Sequence, residues 1–278
     1  MIISVSRRTD IPRFQFDKFT QWIEAGEVET SNPYNSSQTR RISLHPEDVT
    51  AFVFWTRDIR NILQYGTEFD ERGYRFYVMC TLTGYPRILE KHALNTDAVA
   101  EAIHVFASRF GNRRIIWRYD PVFLSTVTEE DFHRENFARL AASLKGAIKR
   151  VIVSLYDPYR RSERRLAALA RKEDFAMLPL YEETGGAPLP HVRELLADLA
   201  GIAAGADMEM QSCAESALDI PGIKTGACID GGLIQDLWGI TVKGRDRNQR
   251  PHCRCAPSVD LGRYGPCPAC CAYCYASR

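Results

Sequence analysis

Short apolar runs recur along the chain at Ile2 to Val5, Ala51 to Trp55, Phe76 to Leu82, Ile115 to Trp117, Val151 to Leu155 and, less sharply, Met208 to Met210. Runs of this length, rich in β-branched and aromatic side chains, predict buried strands. Between them the apolar period lengthens. Val99, Ile103, Phe106 and Phe110 share one helix face, which Gly111 ends. Phe137, Leu140 and Leu144 share another, with Thr128 as the expected N-cap and acidic residues in the first turn. Strands alternating with helices predict an α/β fold, with a mostly parallel sheet covered by helices.

The polar residues that follow these strands sharpen the picture. Arg7, Arg8, Thr9 and Asp10 follow the first run, Thr56, Arg57 and Asp58 the second, and Thr81 and Thr83 stand at the end of the third. Arg118, Tyr119 and Asp120 follow the fourth, Asp157 the fifth, and Cys213 and Glu215 the sixth. In βα barrels the chemistry sits at the C-terminal strand ends, and about six such units predict a partial barrel. From Gly222 onward periodicity fades and Gly, Pro, Asp and Cys take over. The expected organisation is a partial βα barrel over residues 1–221 and a cysteine-rich, metal-organised tail over 222–278 that folds over the barrel mouth. The charged and then Gly-rich stretch from Tyr159 to Gly186 reads as an excursion or loop.

Length and charge narrow the function. A chain of 278 residues with 45% hydrophobic side chains can bury one enzyme-sized core. No window approaches the roughly 20 apolar residues that span a bilayer, so a soluble cytoplasmic protein without a membrane partner is expected. A formal net charge of +1 argues against nucleic-acid binding by bulk electrostatics, and the pairs Arg7/Arg8, Arg160/Arg161 and Arg164/Arg165 read as solvated faces.

Nine cysteines without a secretion signal read as metal ligands before disulfides. Cys267, Cys271 and Cys274 form the pattern C-x₃-C-x₂-C. Three thiolates on a short loop can hold three irons of a [4Fe–4S] cubane and leave the fourth open. Zinc is the alternative reading of closely spaced thiolates. Cys270 is expected to be a neighbour, not a ligand. Cys213, Cys228, Cys253 and Cys255 supply four more thiolates, which read as the ligands of a second [4Fe–4S] cluster, with a structural zinc as the alternative. Cys80, alone in an apolar run, reads as a small buried hydrophobe.

The closing cysteine run, with Tyr273 before its last cysteine and Tyr275 after it, resembles the cluster loop of radical S-adenosylmethionine enzymes, and spore photoproduct lyase and its relatives in particular. The chain as a whole resembles an uncharacterised bacterial family, a domain of unknown function with a cysteine-rich C-terminus. The segments that carry this are Ser6 to Pro12, Asn32 to Asn35, Phe54 to Thr56, Thr81 to Thr83 and Trp117 to Pro121, followed by Cys213 to Glu215, Cys228 to Asp230 and Asn248 to Arg250. The resemblance implies a radical S-adenosylmethionine enzyme with a site-differentiated [4Fe–4S] cluster on Cys267, Cys271 and Cys274, producing a 5′-deoxyadenosyl radical. It also implies a reducing electron donor such as flavodoxin or ferredoxin. In most such enzymes the cysteine loop follows the first strand; here it closes the chain, as in a circular permutation. Relatives usually carry glycine where Cys270 stands. Arg7, Arg8, Asp10, Arg118, Asp120 and Glu215 are the candidate polar contacts to cofactor or substrate, and Tyr273 and Tyr275 the candidate adenine neighbours. The competing class is a zinc- or iron–sulfur-stabilised protein that binds nucleic acid through Trp55, Trp117 and Tyr119, or that transfers electrons.

Overall fold

The computed structural model describes residues 1–32, 35, 37–182, 186–215, 219–250 and 252–277. Pro33 and Tyr34 of the Asn32 to Asn35 segment, and Pro251 and Arg278 of the tail, lie outside the described residues. So do residues 183–185 of the expected excursion and the stretch 216–218.

Every apolar run predicted as a strand forms one. They are β1 (Ile2–Val5), β4 (Ala51–Thr56), β5 (Phe76–Thr81), β6 (Ile115–Val122), β7 (Arg150–Leu155) and β8 (Glu209–Cys213). The expectation of about six strands is nevertheless too low. The tail adds β9 (Ile223–Gly226) and β10 (Ser258–Asp260), giving an eight-stranded sheet in the order β10-β1-β4-β5-β6-β7-β8-β9, every neighbour parallel. The two extra strands carry only four and three residues, too few for a legible apolar run. A separate antiparallel hairpin joins β2 (Glu27–Ser31) to β3 (Thr39–Ser43).

Helices α1 (Ile11–Phe14), α2 (Phe16–Ala25), α3 (Arg60–Glu71), α4 (Thr96–Phe110), α5 (Glu130–Leu144), α6 (Arg160–Ala170) and α7 (Pro190–Gly205) lie between strands, and α8 (Gly231–Trp238) follows β9. Gly111 ends α4 as expected, at φ 91°. The start of α5 differs, since Glu129 is the N-cap and the buried Thr128 hydroxyl donates to Phe123 O at 2.7 Å.

Strand order never reverses from β1 to β9, so right-handed crossovers put successive helices on one face and leave no switch-point crevice. The side-chain pattern agrees. Ile3, Phe54, Val78, Trp117 and Val153 pack with Phe19, Ile62, Ile103, Phe137 and Leu195 of the crossover helices. The alternate residues Ile2, Val53, Tyr77, Met79 and Ile152 turn to the other face, where they meet Leu233 and Ile234 of α8 together with Cys228, Cys253 and Cys255. The tail is therefore not an appendage on the sheet. It supplies two strands, and it packs a helix and three cysteines against the face that the crossover helices leave open.

The last strand lies beside the first, as in a closed eight-stranded barrel. Among the described residues β9 and β10 are not paired, and the sheet stays open there. Among the described residues no helix is long and apolar enough to cross a membrane.

Candidate functional site

The C-terminal ends of β1, β4, β5, β6, β7 and β8 all contribute to the wall of a cavity of about 480 Å³. The tail closes it. Both cysteine groups, Cys267/Cys271/Cys274 and Cys213/Cys228/Cys253/Cys255, stand on this one wall, although up to 61 positions separate them in the chain (274 − 213).

The terminal loop is held by polar tethers. From the end of β4, Arg57 donates to Glu90 at 2.9 Å and to the Tyr273 hydroxyl at 2.7 Å, while Thr83 donates to Glu90 at 2.5 Å and Tyr273 to the same carboxylate. Glu90 and Tyr273 are buried, so this is a desolvated ion pair whose remaining lone pairs are satisfied. Ala272 N–H donates to Leu89 O at 2.8 Å. Arg165, from α6, donates to Ala272 O at 3.1 Å and Ser277 O at 3.0 Å, and also to Cys274 O. Far from lying on a solvated face, Arg165 binds three carbonyls of the cysteine loop.

Within that loop Cys270 is exposed, has φ 52° and is absent from the cavity wall. A left-handed backbone favours glycine, so the conformation at Cys270 is one that glycine would adopt more readily. The other three thiols face the cavity. Burial pushes the Cys271 thiol up to about 12, against the pull of the Arg57 guanidinium. Burial also raises Cys267, opposed by the nearby backbone N–H groups of Ala269 and Asp10. Such donors favour the thiolate, the form that ligates metal. Among the described residues no three Cys, His, Asp or Glu side chains already stand around a common point at metal-ligand distance. The donor set of the terminal loop nonetheless fits a cubane, which needs separated thiolates facing a shared space.

The predicted polar residues divide into several roles. Arg7 is committed to Asp260 of β10, with its backbone N–H at 2.9 Å and its Nε at 3.4 Å from the carboxylate. Asp260 also accepts from Ser4 at 2.8 Å and Ser6 at 2.6 Å, which locks β10 to β1. Gly262 allows this approach, since a Cβ there would stand 1.8 Å from Ser6 Oγ. Arg8 donates to Gly262 O at 3.0 Å and lies 5.3 Å from the Tyr264 ring centroid. Asp10 accepts from Arg57 N–H at 2.9 Å and Arg13 N–H at 3.0 Å, and burial raises its carboxyl to about 6.

Across the cavity Arg118 pairs with Asp120, which also accepts from Ser154, and its guanidinium lies 4.6 Å from the Trp55 ring centroid. Among the described residues Arg118 Nε and Trp55 Nε1 are buried donors without a partner. Glu215 lies off the cavity wall, accepting from Leu155 N–H at 3.0 Å, with its carboxyl raised by burial to about 7. Tyr273 is spent on Arg57 and Glu90 and packs between Tyr85 and Phe123 at 5.8 and 6.0 Å. Tyr275 is 42% exposed, its ring 5.4 Å from that of Tyr159 and its hydroxyl on Arg7 O at 3.0 Å.

Sequence reasoning missed Arg57, Glu90, Asp260 and Arg165. Arg57 follows a predicted strand and could have been nominated by that rule. Asp260 and Arg165 acquire their roles through partners more than a hundred positions away, Glu90 joins Arg57 and Thr83 to the equally distant Tyr273, and no local signal marks them. Trp117 and Tyr119, nominated for the competing nucleic-acid reading, are fully buried against the crossover helices and cannot meet a ligand. Cys80 is buried in β5, where desolvation raises its thiol to about 12, as suits a small core residue.

No curated protein and no solved structure matches the chain. Residues 2–276 match a family described as a domain of unknown function, DUF1848. With nearly its whole length matched, the chain belongs to the DUF1848 family.

Proposed function

We propose that this protein is a radical S-adenosylmethionine enzyme whose sheet is a partial βα barrel of that type, entered by its cysteine loop from the C-terminus. The observation that carries the reading is the terminal loop itself. Cys267, Cys271 and Cys274 face the cavity at the strand ends, while Cys270 turns to solvent. Three inward thiols beside open space suit a [4Fe–4S] cluster with one iron left for a cofactor. When bound, the cluster and S-adenosylmethionine would supply reductive cleavage of the sulfonium and a carbon radical able to take hydrogen from a substrate.

The chain's own residues would bind and orient. Arg57, Glu90 and Arg165 fix the loop, so the three sulfurs keep one geometry. Asp10 joins the two ends of the site, because its N–H reaches Cys267 and its carboxylate holds the Arg57 backbone. Arg118 Nε and Trp55 Nε1 are unspent donors on cavity-lining residues, suited to an acceptor group on a bound molecule. Tyr275, more exposed than Tyr273, is the better candidate to pack against adenine. The electron would come from a small donor such as flavodoxin or ferredoxin.

The test is anaerobic reconstitution with iron and sulfide, then dithionite and S-adenosylmethionine, with mass-spectrometric detection of 5′-deoxyadenosine. The wild type should form it, and Cys271→Ala should fall to background while keeping its fold by circular dichroism. No 5′-deoxyadenosine from wild-type protein carrying an intact cluster would overturn the reading.

A further inference from the structure

Cys213, Cys228, Cys253 and Cys255 come from three places in the chain: the end of β8, the segment after β9, and the irregular stretch before β10. Folding brings them into one group. Cys228 Sγ stands 3.1 Å from Cys213 Sγ, Cys255 interacts electrostatically with both Cys228 and Cys253, and the Ile229 N–H donates to Cys255 Sγ at 3.3 Å. On one side they pack near Trp55, Ile229, Leu233 and Ile234, and on the other they border the cavity. Apolar packing alone does not press sulfur on sulfur from three separate segments.

We propose that these four cysteines form a structural zinc site, separate from the terminal loop. The one sulfur–sulfur distance suits this occupant. Sulfurs about 2.3 Å from a tetrahedral zinc stand about 3.8 Å from one another. The 3.1 Å pair needs to open by only about 0.7 Å to take its place in such a shell. A cubane would place its own irons between the thiolates and require the 3.1 Å pair to spread much further than a single zinc does. A disulfide would use two sulfurs and leave two without a partner.

Charge and position agree with this. Zinc with four thiolates carries −2 (2 − 4), and Arg7 acts on Cys255 while Arg118 and Arg250 act on Cys213 through space. Four protein ligands leave no open position, so the ion would hold structure and take no part in chemistry. What it would hold is plain from the fold. Among the described residues 239–257 no helix or strand forms, yet this stretch must deliver β10 to β1 and the terminal loop to the cavity. Cys253 and Cys255 would staple it to the ends of β8 and β9.

The test uses full-length protein with Cys267, Cys271 and Cys274 all changed to Ala, which removes the terminal site and isolates this one. Elemental analysis should find about one zinc per chain in that protein, and its loss when Cys213→Ser and Cys228→Ser are added. Zinc-edge X-ray absorption on the wild-type holoprotein gives the answer even if the variants do not fold, and should show four sulfurs at about 2.3 Å. About four irons with matching sulfide retained in the triple variant would overturn the proposal in favour of a second cluster. Metal-free protein with a Cys213–Cys228 disulfide would also overturn it. Neither result bears on 5′-deoxyadenosine formation, which tests the terminal loop alone.

Discussion

The sheet and the tail are stabilised by different physics. Strands β4 and β5 are buried along almost their whole length, and between the sheet and its crossover helices lies a continuous aromatic layer. Phe19, Phe52, Phe54, Phe69 and Phe76 touch one another edge-on or stacked at 5.4 to 6.2 Å. The tail from residue 239 onward has one short strand and few such contacts. It is held by Asp260, Arg57 and Arg165, each reaching several partners, and by sulfur. Apolar burial is non-directional and averages over many atoms, so it makes a rigid wall. Charged hydrogen bonds are directional, and they place a few atoms accurately where a ligand must be met.

The largest effect should come from breaking the wall. Phe54→Ala removes a fully buried ring from the aromatic layer and should cost about 3–5 kcal/mol in denaturant unfolding. That loss should appear equally by far-ultraviolet circular dichroism and by tryptophan fluorescence, as for one cooperative unit. An unchanged transition would mean that the tail, not the sheet, sets global stability, which would invert the comparison.

A smaller effect should come from pH, through a polar network buried behind the wall. His133 of α5 donates from Nε2 to Phe123 O at 3.1 Å and accepts at Nδ1 from the Tyr119 hydroxyl at 2.8 Å, and Asn136 donates to that hydroxyl at 3.2 Å. These partners require the neutral imidazole, and burial lowers its pKa from 6.5 to about 4. Between these values the unfolded chain binds the extra proton and the folded one does not. Stability contributed by the neutral ring is therefore present above pH 6.5 and lost as pH falls through 4, by about 3 kcal/mol in all. His133→Asn should remove that part of the slope of unfolding free energy against pH. An identical slope in the variant would assign acid sensitivity elsewhere, the tail carboxylates first.

The same contrast explains what the amino-acid sequence reveals. The six strands that form the wall, and helix α4 with its Gly111 cap, follow from apolar periodicity because burial imposes a period on neighbouring residues. β10 does not, since Ser258, Val259 and Asp260 carry no such period. Its place beside β1 depends on Asp260 meeting Ser4 and Ser6 more than two hundred and fifty positions away. The cysteine groups are visible from residue type and spacing, because closely spaced thiols are the residues that ligate metal. Their common cavity is not, nor is the commitment of Arg7 to Asp260 in place of a ligand.

The comparison is tested most narrowly at Arg165. Its guanidinium reaches from α6 to the carbonyls of Ala272, Cys274 and Ser277, so it tethers the terminal loop without entering the apolar wall. Arg165→Ala should leave the global unfolding transition within about 1 kcal/mol of wild type, because what it removes belongs to a locally opening segment. Amide exchange in residues 270–277 should accelerate by about tenfold to a hundredfold, the equivalent of roughly 1.5–3 kcal/mol for charge-assisted hydrogen bonds. Exchange in β4 and β5 should not change. Arg165→Lys should rescue only part of the protection, since one ammonium cannot present the planar fork that three divergent carbonyls require. If exchange quickened equally in the strands and the loop, tail and wall would be one cooperative unit. Full rescue by lysine would reduce the clamp to a point charge, and the terminal loop would then owe its geometry to Arg57 and Glu90 alone.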